Sequence, residues 1–317
     1  MITLNNGNKM PSIGLGTWNS DCKLVKQAVT TALNSGYRHI DCAKAYENEA
    51  EIGEAINESN VPRSEIFITS KLWNTNHRPE QVETGLKSSL KNLKVEYLDM
   101  FLMHWPIAFD YQGEEETEPL DYDTFQVKMD NEADYLNTWK ELEQLYKTGV
   151  VKNIGVCNFN LEQMKRLIGN CEILPHDLQI EVHPFWQQDE IVDFCRTNEI
   201  AVTGYSPLGS PGYVQPHLDR TQLLYSETIT NIAEKHSTAA AQVMLKWGLQ
   251  RGICVIPKSV TTERIVANIS PDVIEFDEDD LRKIKELDRS YFGKKKIDFK
   301  VVEPNWWNHS TFSPTIN

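Results

Sequence analysis

GYRHIDCAKAYENE, residues 36–49, decides the fold. A short apolar run at 37–40 ends on Asp41, and Tyr46 follows just before a helix-forming stretch at 48–57. The same pattern recurs downstream. A run at 66–70 ends before Lys71, and a run at 98–103 ends before His104. Each run reads as a strand of a parallel sheet. Polar side chains just past the carboxyl ends of successive strands are what a (β/α)8 barrel requires, because its active site is built there.

The rest of the chain continues the alternation. Residues 1–12 predict a β-hairpin, with extended stretches at 2–4 and 9–11 and an Asn6-Gly7 turn. A first barrel strand at 13–16 leads to a helix at 23–35, with Val25, Val29 and Ala32 on one face and Gly36 past its end. Helices follow at 78–93, 135–147, 161–168, 187–198, 227–236, 239–248 and 262–269. The later strands lie at 151–157, 178–181, 201–205 and 253–256. Counting from residue 13 there are eight strand–helix units, so the prediction is a TIM barrel with an N-terminal hairpin and long loops at its C-terminal face. Three stretches break the rhythm: acidic 106–131, Gly/Pro-rich 207–224, and the tail 291–317 with Trp306 and Trp307. Such long loops in a barrel are usually functional.

At 317 residues with no Pro/Gly/Ser-rich linker, the chain is read as one domain over 1–317, its tail contributing to the pocket. A net charge of −14 argues against nucleic-acid or anionic-membrane partners, so cations serving an anionic ligand must be local. The first ten residues have no apolar signal core, and no run approaches the roughly 20 apolar residues of a membrane span. Six scattered cysteines without a C-x-x-C fit neither a disulfide framework nor a zinc site, and point to a reducing cytoplasm. His176, His183 and His217 lack ligand spacing, so no metal is expected. Glu181 has no partner carboxylate for glycoside hydrolysis.

Tyr46, Lys71, Asp41 and His104 together suit proton transfer to a carbonyl oxygen. A phenol is a poor acid at neutral pH. A neighbouring lysine favours the phenolate and is expected to lower its pKa. An aspartate keeps that lysine charged, and a histidine orients the carbonyl or shares the proton. Each residue alone has a plainer reading: tyrosine as packing, lysine as a solvated cation, aspartate as a helix cap, histidine as an interior side chain. Four at equivalent positions in successive units resist that reading.

With SKLWNTNHRPEQV (70–82), LDMFLMHWP (98–106) and VIPKSVTTERIVAN (255–268) added to 36–49, the chain resembles the aldo-keto reductases, and within them the aldose/aldehyde reductase branch. The resemblance runs from the first strand to Asn268. It implies NADPH-dependent reduction of aldehydes and ketones by a monomer. Tyr46 would be the proton donor, Lys71 its partner, Asp41 the partner of Lys71, and His104 the orienting residue. Gly14-Leu15-Gly16 lacks the third glycine of a Rossmann fingerprint, so the residues alone supply no nicotinamide signature. The resemblance implies one nonetheless, with NADP(H) lying extended across the mouth. Lys258, Ser259 and Arg264 would hold its 2′-phosphate, helped by a helix N-terminus, and Asn268 its adenine. Tyr205 would stack on the nicotinamide, with Asn158 and Gln179 on its carboxamide. Ser206 and Leu208 would follow the pyrophosphate, and Thr17, Trp18 and Asp41 would border the ribose and ring.

Three positions depart from the family pattern. Cys157 stands where a serine is usual, Leu178 where an asparagine is frequent, and Ala267 where an acidic adenine contact is common. For the substrate, Trp18, Trp73, Trp105, Phe109, Trp306 and Trp307, with Tyr46 and His104, predict an apolar aromatic pocket. Two other readings stay open. The substrate is a ketosteroid, a prostaglandin-like ketone or a sugar; or the barrel is a non-catalytic NADPH-binding or structural protein, since fold alone does not assign function.

Overall fold

Hydrogen bonds between the first and last barrel strands close the sheet. Gly14 N donates to the Val255 carbonyl at 2.9 Å, Gly16 N to Pro257 at 3.1 Å, and Val255 N to Ser12 at 3.0 Å. The computed structural model describes residues 1–123, 126–210, 223–271 and 274–288. The chain opens with the antiparallel pair β1 (Ile2–Thr3) and β2 (Lys9–Met10), then alternates through β3 (Leu15–Gly16), α1 (Cys22–Asn34), β4 (His39–Asp41), α2 (Glu49–Glu58), β5 (Phe67–Leu72), α3 (Pro79–Leu93) and β6 (Met100–Met103). A short antiparallel pair, β7 (Leu120–Asp121) and β8 (Gln126–Val127), interrupts before α4 (Tyr135–Thr148). The alternation resumes with β9 (Ile154–Cys157), α5 (Leu161–Ile168), β10 (Asp177–Glu181), α6 (Asp189–Thr197), β11 (Ala201–Tyr205), α7 (Glu227–Lys235), α8 (Ala240–Gln250), β12 (Cys254–Val255), α9 (Thr262–Asn268) and α10 (Glu278–Lys285).

The eight barrel strands run parallel in the order β3-β4-β5-β6-β9-β10-β11-β12. This is the expected (β/α)8 barrel, with the expected hairpin ahead of it. Local chemistry sets the element ends. Asp21 caps α1 by accepting from Lys23 N, Asn160 and Gln163 form a capping box on α5, and Gly149 takes a left-handed φ of 77° to end α4. Glycine is also needed in β9, where a Cβ at Gly155 would run into the Asp177 carbonyl of the next strand.

Two apolar cores follow from the period of two in each strand. Outward side chains such as Ile40, Ile68, Phe101, Val156 and Leu178 pack with the helices. Inward ones, Phe67, Met100, Leu102, Cys157, Cys254 and Ile256, fill the lumen, and Leu4 and Met10 of the hairpin join them and plug the amino-terminal end. Asn6 and Asn8 pin that plug by donating to Asn153 Oδ1 at 2.8 and 3.0 Å. The barrel is therefore sealed at one end and presents chemistry at the other.

Three elements went unforeseen. The acidic stretch 106–131 carries β7 and β8, each two residues long, too short to show alternation. Helix α10 lies past the eighth unit, with a capping box between Asp277 and Asp280.

Candidate active site

The mouth is built around one buried cation. β4 ends on Asp41 and β5 carries Lys71, and a single turn at 44–46 folds Tyr46 back over both. Lys71 is fully buried, and its three protons are all directed. Its Nζ donates to Asp41 Oδ1 at 2.6 Å, to the Cys42 carbonyl at 2.8 Å and to the Tyr46 hydroxyl at 3.2 Å. Burial, the largest single influence, pushes the ammonium toward neutrality, but the Asp41 carboxylate together with Tyr46 and Cys157 outweighs it and holds the pKa above the ordinary 10.5. Asp41 in turn accepts from Gln179 Nε2 through its other oxygen at 2.7 Å, and its carbonyl accepts from Thr17 Oγ1 at 2.8 Å.

The phenol differs from expectation. Burial pushes the pKa of Tyr46 well above 10, and the nearby Lys71 charge pulls against that without prevailing. Lys71 therefore does not make Tyr46 a strong acid at rest. It donates to the phenolic oxygen, which leaves the Tyr46 proton free to point elsewhere and places a positive charge where the phenolate would form.

The His104 ring sits edge-on to Tyr46, centroids 5.7 Å apart, and edge-on to Trp73 at 5.1 Å. Burial first, then Lys71 and His77, hold its pKa well below 6.5, so the imidazole is neutral. Its Nδ1 is buried and has no partner among the described residues. A buried ring nitrogen without a partner is uncommon in a folded protein. Next to it, Asn158 takes a left-handed φ of 62°, and Ser206, just past β11, one of 48°. Such conformations cost a residue with a side chain roughly 1 kcal/mol or more and cluster at functional sites. Asn158 donates to the His104 carbonyl at 3.0 Å and accepts from the Tyr205 hydroxyl at 2.8 Å, tying three strand ends together.

The basic group lies on the same rim. Lys258 bridges in register to Gly16 and its Nζ donates to the Asn19 carbonyl at 2.9 Å, so it borders the turn that carries Thr17 and Trp18. Arg264 is exposed on α9, while Ser259 and Asn268 are buried nearby in the sequence. The helix that carries Arg264, α9, has only seven residues. Of the three departures, Leu178 faces the outer core while Gln179 faces the lumen. The Cys157 thiol lies 3.8 Å from Gln179 Oε1, a weak donor in place of a hydroxyl. Ala267 is exposed.

Trp73, Trp105 and Phe109 are buried together in an aromatic wall with Ile107 and Val127, whereas Trp18 is 43% exposed. Ser206 and Leu208 follow β11, where Ser206 Oγ accepts from Ser210 Oγ at 2.7 Å. Trp306, Trp307 and the tail lie outside the described residues, as does most of the stretch 207–224. Sequence reading passed over Asn48 and Glu49, though both stand in the opening motif. Asn48 Nδ2 donates to the Thr17 and Ser20 carbonyls at 3.0 and 3.2 Å, and buried Glu49 accepts from Ser70 Oγ at 2.6 Å. They tie the start of α2 to the loop 17–20 on one side of Asp41 and to strand β5 on the other. Among the described residues no three His, Cys, Asp or Glu side chains gather where they could hold a metal, and no helix is long and apolar enough to cross a membrane.

Comparison with known proteins agrees with this architecture. The model of the aldo/keto reductase family matches residues 12–289. Aldo-keto reductase family 1 member A1 of Cricetulus griseus is 43% identical over 295 residues, 92% of this chain and 90% of the relative. Its Homo sapiens counterpart is 41% identical over 295 residues with the same coverage. The solved structure of the aldose reductase from Schistosoma japonicum superposes with a TM-score of 0.82 at 41% identity, covering 90% of each chain.

Proposed function

We propose that this chain, which belongs to the aldo/keto reductase family, reduces aldehydes and ketones to alcohols with NADPH, Tyr46 being the proton donor. It is an oxidoreductase by that membership, and the cofactor and residue roles are what the geometry argues for. The residues present fit a nicotinamide dinucleotide phosphate. His104 Nδ1 has no partner among the described residues, Gln179 Oε1 has the weak Cys157 thiol beside it, and Lys258 with Arg264 supplies positive charge on an otherwise acidic protein. Asn158 and Gln179 would hold the carboxamide, Tyr205 the ring, Ser206 and Leu208 the pyrophosphate, and Lys258, Ser259, Arg264 and Asn268 the adenosine phosphate. When bound, the cofactor supplies the hydride.

The chain's own part is to place a carbonyl oxygen and give it a proton. The neutral His104 ring lies edge-on to Tyr46, and the carbonyl oxygen would sit between that ring and the Tyr46 hydroxyl. Tyr46 gives up its proton there as negative charge develops on that oxygen. The phenolate so formed is met by the Lys71 ammonium already bonded to it, and Asp41 holds that ammonium in line. No reorientation is needed at the moment of transfer, the main source of electrostatic catalysis. Trp73, Trp105 and Phe109 exclude water and favour an apolar substrate. The setting we infer is a monomer in a reducing cytosol, in keeping with six free cysteines.

The observation that carries the reading is the bond from buried Lys71 to the Tyr46 oxygen. Tyr46→Phe keeps the ring and removes the proton. Reduction of an aldehyde panel, followed by loss of NADPH absorbance, is expected to fall by about 100-fold or more, while NADPH still quenches tryptophan emission. Full turnover by Tyr46→Phe would refute the assignment.

A further inference from the structure

Residues remote in the sequence meet around one carboxylate beside the mouth. Glu114, in the β6–α4 connection, accepts from Lys44 Nζ through one oxygen at 2.9 Å and from Asn76 Nδ2 through the other at 2.7 Å. The Tyr111 side chain lies beside the same carboxylate and helps to hold its pKa down. Lys44 Nζ also donates to Ser88 Oγ of α3 at 2.6 Å. The pair is half sheltered, with side-chain exposures of 11% for Lys44 and 24% for Glu114, unlike the solvated pairs that add little. Burial pushes the Glu114 carboxyl up, yet the bonds from Lys44 and Asn76 hold it below the usual carboxylate range.

Both ends of this cluster touch the proposed chemistry. Lys44 begins the single turn that ends at Tyr46. Asn76 lies three residues after Trp73. On the other side of Glu114, the Thr117 carbonyl accepts from Trp73 Nε1 at 2.6 Å, and Thr117 Oγ1 donates to Glu47 Oε1 at 3.2 Å. Trp73 rests edge-on against His104 at 5.1 Å and against Phe109 at 5.7 Å.

The geometry points to Lys44–Glu114 as a latch that holds the 107–121 segment against the catalytic turn and so fixes the position of Trp73 and the width of the substrate pocket. The inference rests on the carbonyl-reductase reading of the mouth. With the latch closed, Thr117 is held where it receives the indole N–H, and the aromatic wall stands close to His104. With it open, that wall moves outward. Small carbonyl compounds then lose the contacts that centre them, and bulky ones gain room. Neither Lys44 nor Glu114 touches the reacting atoms, so both are positioning residues that act on specificity.

The test compares Lys44→Met and Glu114→Gln with the parent enzyme, using NADPH with propanal and with a two-ring aromatic aldehyde. Lys44→Met removes the charge and keeps the apolar stem. Glu114→Gln sets an amide N–H against one of two donors. For propanal, KM is expected to rise about tenfold with kcat changed by no more than about twofold, while kcat/KM for the aromatic aldehyde holds or rises. NADPH affinity stays within about twofold, and the double variant loses no more than either single one, since both remove one interaction. Equal losses for both aldehydes, or a double variant whose losses multiply, would overturn the latch. If the parent enzyme reduced neither aldehyde, the reductase reading would be what failed. The latch would then be judged by hydrogen exchange over 107–121: faster exchange in both variants sustains it, and unchanged exchange rejects it.

Discussion

Asp177→Asn should make the folded protein more stable, and by more as the pH rises. Asp177 begins β10, and the period of two puts it on the same side of the strand as Gln179, which reaches Asp41 inside the barrel. It is 2% exposed, and its Oδ1 has no partner among the described residues. Burial, with the Asp41 charge adding to it and Thr203 and Lys71 opposing, pushes its pKa from 3.8 to about 8. The folded pKa lies above the unfolded one, so the folded state binds the extra proton and stability falls as pH rises between the two values. The loss is absent below pH 4 and complete above pH 8. Four pH units at about 1.4 kcal/mol each set a ceiling of about 5–6 kcal/mol; relaxation of the site brings the expected figure to about 2–4 kcal/mol. Asparagine keeps the shape and removes the titration. Urea unfolding of both proteins at pH 5 and pH 8 measures it. Histidine contributions, including buried His39 and His77, are common to both proteins and cancel. The advantage of the variant should widen by about 2 kcal/mol or more from pH 5 to pH 8. A difference between the two proteins that stays constant within about 0.5 kcal/mol would refute a buried, proton-holding Asp177.

Two further outcomes follow from the site. Arg264→Ala should weaken NADPH by about tenfold or more in a fluorescence titration while changing NADH by less than about threefold, because only NADPH carries the phosphate that the guanidinium would fork; equal losses would remove Arg264 from that role. Lys71→Met strands the Asp41 carboxylate in the barrel and should cost about 3–5 kcal/mol of stability together with nearly all turnover. Adding Asp41→Asn should restore most of the stability and none of the activity, and a double variant as unstable as Lys71→Met alone would contradict the pairing.

What the sequence disclosed and what it hid differ in range. Asp41, Lys71 and His104 could be found because each stands at the end of an apolar run, and a parallel barrel turns that one-dimensional position into convergence. Gln179 and Asn158 shared the signal, and both proved to be wired to it, one through Asp41 and the other through the His104 carbonyl. The features that escaped belong to pairs. Nothing local marks Lys44 as the partner of a glutamate 70 residues away, or Thr117 as the acceptor for an indole 44 residues before it. The acidic run at 114–116 lies in a stretch the sequence marks as a long functional loop, but its cation is supplied only by the fold. The lysine does pull the tyrosine pKa down as the sequence suggests, and the net direction escaped for a related reason. A lysine neighbour is visible as a motif, but the dielectric around both groups is a property of the closed barrel, and here burial outweighs the neighbour. Positions set by strand period are therefore legible one residue at a time. Electrostatics and loop anchoring are not, because each depends on what another part of the chain brings to the same few ångströms.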